Sequence, residues 1–149
     1  MKKACYKKLP KHKYELVKPY PYYTGFDKLG TEVKIKKKIR IDYLALETNG
    51  FLKFEKGFAW DGPTNPGIDT LNTMRGSLVH DGIYRLIRQG GLKSDPYRIL
   101  ADKLLRKICR EDGMFWFRAL YIYIGVRLFG CSSARPCSEI ICVPKKNNN

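Results

Sequence analysis

Histidine is almost absent: His12 and His80 are the only two in 149 residues. That scarcity excludes metal-dependent phosphohydrolases of the His-Asp type, which need further histidines. A zinc hydrolase would need three N, S or O ligands at suitable spacing, and no such set is visible. No C-x-x-C pair occurs, so Cys5, Cys109, Cys131, Cys137 and Cys142 lack the spacing of a metal site. They read as free thiols in a reducing compartment. The alternative is a disulfide in the tail, joining Cys131 to Cys137 or Cys142. No apolar run reaches the roughly 18 residues of a membrane span, because Arg118 and Arg127 interrupt the nearest, Met114 to Phe129. The basic start, Met-Lys-Lys-Ala-Cys-Tyr-Lys-Lys, has no apolar segment behind it and is not expected to be a secretory signal. Acidic residues are few, 14 Asp and Glu against 29 Lys and Arg, for a net charge of +15. A field of that sign favours anionic partners: nucleic acid, anionic lipid or an acidic protein surface.

Hydrophobic residues make up 44% of the chain, which argues against global disorder, and the length suits one compact domain. Residues 1–30 are basic and rich in Tyr and Pro, and Lys-Pro-Tyr-Pro-Tyr-Tyr at 18–23 reads as an extended arm of polyproline character. Residues 33–41 alternate, with Val33, Ile35, Ile39 and Ile41 on one face of a predicted strand. Lys34, Lys36, Lys38 and Arg40 occupy the other. Asn49-Gly50 predicts a hairpin turn between Tyr43–Glu47 and Phe51–Phe58. Two Pro and two Gly within residues 61–69 exclude regular structure there. A helix follows over Met74–Arg88, with Leu78, Val79, Ile83, Leu86 and Ile87 as its apolar face. Gln89-Gly90-Gly91 ends it. Asp95-Pro96 has the chemistry of a helix start, so a second helix should run to about Glu111. A third, aromatic-rich helix should end near Gly130. It is apolar nearly all round, which fits either an interfacial helix whose Arg118 and Arg127 reach lipid phosphates or a central core helix; the core helix is expected. The expected fold is therefore α+β: a small N-terminal antiparallel hairpin or sheet packed with about three helices. It should occupy residues 31–130, between the arm of 1–30 and an irregular tail of 131–149.

The chemistry concentrates on His80, Asp81, Tyr84 and Asp102. His80 and Tyr84, four apart, share one helical face. Asp102 lies among the apolar Ile99 and Leu105, where a carboxylate needs a donor such as an imidazole or a phenol. Asp102 can thus orient His80 as a general base, with Tyr84 supporting Asp102. Asp81, about 100° round the helix, is left to ligate a cation. The same residues also fit a buried polar network without catalysis. The loop 61–69 offers backbone carbonyls of the kind that Ca²⁺ takes, or serves only as a rigid connector. Ser77 lacks a nucleophile elbow. The basic strand, through Lys34, Lys36, Lys38 and Arg40, fits a polyanion such as nucleic acid, or a merely solvated face.

Two resemblances follow from these motifs. Lys-Gly-Phe-Ala-Trp-Asp-Gly-Pro at 56–63, Leu-Val-His-Asp-Gly-Ile-Tyr-Arg at 78–85, Ala-Asp at 101–102 and Gly-Val-Arg-Leu-Phe-Gly at 125–130 resemble a domain-of-unknown-function family of tailed phages and prophages. That likeness covers roughly residues 51–130 and implies a phage origin. The chain would then belong to the virion or the host cytoplasm, with phage structural proteins or nucleic acid as partners. Gly-Pro-Thr-Asn-Pro-Gly, then His-Asp-x-x-Tyr and a later Ala-Asp, is similar to the order in phospholipase A2 domains. The similarity implies His80 as general base, Asp102 as its orienter, Tyr84 as support, and Ca²⁺ held by Asp81 with carbonyls near Gly62 and Asn65. It also implies a phospholipid ester as substrate. The chain departs from that family in having no half-cystine beside His80-Asp81 and in placing Pro66 within the loop.

Overall fold

Much of the described part of the first thirty residues builds sheet rather than an arm. In the computed structural model, which describes residues 3–10, 14–30, 35–63 and 70–130, they supply β1 (Tyr6–Lys8), β2 (Tyr14–Leu16) and β3 (Tyr20–Tyr23). Strands of three or four residues are too short to display a period. Pro21 also reads against a strand, yet β3 is an edge strand, where a missing N–H costs no ladder bond. Burial of Tyr14, Leu16 and Tyr20 holds the segment in place. Tyr14 packs on Trp60 at 5.5 Å between ring centroids, and Tyr6 stands edge-on to Tyr14 at 5.4 Å.

The remaining strands are β4 (Ile39–Ile41), β5 (Leu44–Leu46), β6 (Phe51–Phe54) and β7 (Ala59–Trp60). All pairings are antiparallel, in one sheet of order β1-β2-β7 and another of order β3-β6-β5-β4. The Asn49-Gly50 turn joins β5 to β6 as expected: Gly50 N donates to Glu47 O at 3.0 Å, and Gly50 has φ +78°. The predicted strand over 33–41 shortens to β4. Lys36, Lys37 and Lys38 are all exposed before it, and Val33 and Lys34 lie outside the described residues. Tyr43, expected within a strand, instead turns the chain between β4 and β5 with φ +58°.

The helices are α1 (Leu71–Arg88), α2 (Ser94–Glu111) and α3 (Trp116–Phe129), so the fold is α+β. Asp95 is extended (φ −97°, ψ 135°), and continuous helix in α2 begins at Pro96, in keeping with the Asp-Pro signal. Leu78, Val79, Ile83, Leu86 and Ile87 of α1 are all buried. At Gly82 the helix backbone comes so near the sheet that a Cβ would lie 2.6 Å from Phe54 Cε1. Gly82→Ala should therefore lower stability by about 1–3 kcal/mol through overpacking, with part of the loss restored by Phe54→Leu. Thermal denaturation checks this, and an unchanged midpoint in Gly82→Ala would contradict the close approach.

The third helix departs from expectation. Only Ala119, Ile122 and Gly125 of α3 are buried, against a small cluster with Leu105, Cys109 and Met114. An all-round apolar sequence carries no sign of which face turns inward, and here the inward face is narrow. Among the described residues no helix is long and apolar enough to cross a membrane. Cys5 and Cys109 are free thiols, and the other three cysteines lie outside the described residues.

Candidate functional site

α1 and α2 bring His80, Tyr84 and Asp102 together. The Asp102 side chain is wholly buried, and its Oδ1 accepts from Tyr84 Oη at 2.8 Å and meets His80 Nε2 at 2.8 Å. A carboxylate is an acceptor only, so Nε2 carries the proton, and in the neutral ring Nδ1 holds the lone pair. The rings of His80 and Tyr84 lie against each other, centroids 4.1 Å apart. Asp102 Oδ2 takes a third donor, Arg127 Nη1 of α3, at 3.0 Å. Arg127 is in turn tied through its carbonyl to Arg98 Nη2 at 2.7 Å. In the sequence Arg127 stands out only as a charge interrupting the apolar run of α3, and nothing in its local pattern points to Asp102.

Burial alone would raise the Asp102 carboxyl pKa, but the contacts with His80, Arg127 and Tyr84 outweigh it and hold Asp102 below its usual range. Burial acts to lower the His80 pKa, yet the bonds to Asp102 and Asp81 leave it raised. Tyr84 is pushed up by burial and by the Asp102 charge, so it stays a phenol and a donor.

Asp81 sits beside the other ring nitrogen, with Oδ1 3.6 Å from His80 Nδ1. In the neutral ring these are two facing acceptors. They are compatible when Nδ1 is protonated, or when a donor or cation stands between them. A cavity of about 240 Å³ opens here, lined by Asp61, His80, Asp81, Arg85, Arg88 and Phe129 among others. Arg85 is fixed by donation to Ala59 O at 2.7 Å and by stacking 4.4 Å from the Phe58 centroid. Gly62 lines a smaller adjoining hollow together with His80 and Asp81. Asn65 lies outside the described residues. The oxygens of Asp61, Asp81 and Gly62 are hard donors of the type Ca²⁺ prefers, so the donor chemistry suits that ion. Among the described residues no group of three or more His, Cys, Asp or Glu converges as a metal cluster. Ser77 is committed elsewhere, donating to Met74 O at 2.9 Å and accepting from Trp60 Nε1 at 3.2 Å.

The basic strand residues stand apart from this site and are partly neutralised. Lys38 pairs with Glu47 at 3.0 Å and Arg40 with Glu55 at 2.7 Å. Lys53, on the same sheet face as Arg40, also reaches Glu47, at 3.1 Å. Lys36 and Lys37 are exposed, and Lys34 lies outside the described residues. No protein-family model, no curated protein and no solved structure matches the chain.

Proposed function

We propose that the chain is a phage-encoded, phospholipase A2-like hydrolase in which His80 activates water against a phospholipid ester. The observation that carries this reading is the orientation of His80. Nε2 is bound to the buried Asp102, which leaves the Nδ1 lone pair beside Asp81 at the cavity. In this role Asp102 fixes the tautomer and stabilises the imidazolium, and Tyr84 and Arg127 fix Asp102. Asp81, with carbonyls of Gly62 and Asn65, would hold Ca²⁺. When bound, the ion supplies polarisation of the ester carbonyl and charge for the oxyanion. The ordered motifs from Trp60 to Gly130 support the phage origin, and the virion or the host cytoplasm as the place of action. The test is release of fatty acid from phospholipid by the purified chain, with and without Ca²⁺. Ca²⁺-dependent release is expected. No hydrolysis of ester lipid, with no Ca²⁺ binding at millimolar concentration, overturns the reading.

A second reading is favoured by one observation: both oxygens of Asp102 are satisfied internally. A non-catalytic virion or assembly protein would retain such a network for its fold alone, and would meet nucleic acid or an acidic partner through its basic sheet face. Co-purification with particles in many copies supports it, and soluble activity absent from particles opposes it. For this reading, duplex DNA binding should fall with salt at a log–log slope of about −0.9 per neutralised phosphate. Reversal of Lys34, Lys36 and Lys38 to Glu should abolish the binding. Salt-independent binding, or binding indifferent to the reversal, would leave that face merely solvated.

A further inference from the structure

We propose that α3 and the adjoining face of α2 form a docking surface for an anionic membrane. Phe117, Tyr121, Ile124 and Leu128 recur at intervals of four, three and four. This confines them to about 60° of the helix circumference. All four are exposed, by 46 to 68%. Phe115 and Trp116 extend the patch at the N-terminal end of α3, with Phe115–Trp116 and Trp116–Phe117 centroids 5.9 and 5.6 Å apart. Scattered exposed apolar residues are ordinary, but a continuous stripe ending in an aromatic cluster is the surface of a contact.

The charge beside the stripe identifies the partner. Lys103, Arg106, Lys107 and Arg110 follow helical spacing along α2, and with Tyr123 of α3 they border one shallow hollow. The Arg106 guanidinium lies 5.9 Å from the ring centroid of Tyr123, which stands on the Trp116 side of α3 about 100° round from Ile124, so the basic row borders the patch on its Trp116 side. Near it, Glu111 approaches Lys107 at only 3.9 Å, and α3 contains no acidic residue. Arg118 and Arg127 do not serve this surface. Arg118 donates to Thr70 Oγ1 at 3.1 Å and Arg127 is bound to Asp102, so the α2 row takes the headgroup contacts.

Two occupants drawn from the chain itself are disfavoured by the same charge. A second copy would bring its own basic rows, and residues 131–149 carry Arg135, Lys145 and Lys146 against Glu139 alone. A bilayer with anionic headgroups complements both rows at once: apolar side chains enter the headgroup–acyl boundary, and the α2 cations meet phosphates. A helix of 14 residues lies in that boundary rather than crossing it. The inference rests on exposure and charge, and does not require the His80 site to be catalytic.

The two tryptophans make the test direct, because Trp116 is 51% exposed and Trp60 1%. The full chain is mixed with vesicles of phosphatidylcholine containing phosphatidylglycerol, and with vesicles of phosphatidylcholine alone. It is expected to sediment with the anionic vesicles only, with a blue shift in emission that Trp116→Phe removes. Free in solution, Trp116 should be open to iodide quenching. Ile124→Ser with Leu128→Ser should weaken binding about tenfold or more, and Arg106→Gln and Lys107→Gln by about fivefold for each charge removed. These are exposed positions, and circular dichroism checks that each variant is folded. His80→Gln should bind vesicles as the native chain does, which separates this proposal from the hydrolase reading. Failure to sediment with anionic vesicles, equal binding to neutral ones, or a Trp116 already shielded in the free protein by the tail or a second copy would overturn it.

Discussion

Asp102→Ala is expected to cost the fold about 2–4 kcal/mol, chiefly because the buried His80 and Tyr84 donors lose their acceptor, while the partly exposed Arg127 can turn to water. Three donors depend on that carboxylate: His80 Nε2, Tyr84 Oη and Arg127 Nη1, all within 3.0 Å. With Asp102 gone, a guanidinium is left without its counter-charge and two further donors lose their acceptor, against a typical domain stability of 5–15 kcal/mol. For a chain of this length the midpoint of thermal unfolding should fall by roughly 10 °C. Asp102→Asn keeps the volume and one acceptor oxygen and should lose less. The pH dependence has a defined sign. Asp102 titrates below its ordinary 3.8 when folded, so its stabilisation is complete above 3.8 and fades as pH falls through the folded value. The native and Asp102→Ala stabilities should therefore converge in acid. Equal midpoints at neutral pH would mean that the network contributes nothing to the fold.

The helical half was legible in the sequence because its signals are local. The apolar positions of α1 recur at helical intervals, Gly90-Gly91 breaks the helix, and Asp95-Pro96 starts the next. The strands of residues 6–23 were not legible, since each pairs with a distant segment, β2 with β7 and β3 with β6, and none is long enough to show alternation. The exposed side of α3 could not be read, because with apolar residues on every side no moment points inward. At the site, the spacing of His80 and Tyr84 with a carboxylate at 102 sufficed to place three side chains together. The fourth, Arg127, reaches Asp102 only through the way α3 crosses α2, and that crossing has no local signature.

On the hydrolase reading proposed above, His80→Gln is expected to lower hydrolysis by about 10²–10⁴-fold, the usual contribution of a positioned general base. Glutamine retains a donor for Asp102 but has no lone-pair nitrogen of comparable basicity. The loss should therefore appear in kcat while the chain stays folded. His80→Ala, which also leaves Asp102 short of one donor, should lose about 1–3 kcal/mol of stability besides. The base must be neutral to accept a proton, and the folded His80 pKa is raised above 6.5, chiefly because the Asp102 and Asp81 contacts overcome burial. In the metal-free chain the His80 ionisation should accordingly be centred above 6.5, and activity should rise with pH as the ring becomes neutral. Protonation of His80 stabilises the fold fully below 6.5, and that gain is lost as pH rises through the folded pKa. Asp81→Asn removes one of the two groups that raise the pKa, so in the metal-free variant the His80 ionisation, followed by NMR, should move to lower pH, while Ca²⁺-dependent hydrolysis should be lost with the Ca²⁺ ligand. A pH profile with no ionisation in this range, or a His80→Gln chain as active as the native one, would leave the His80–Asp102 pair a structural contact and nothing more.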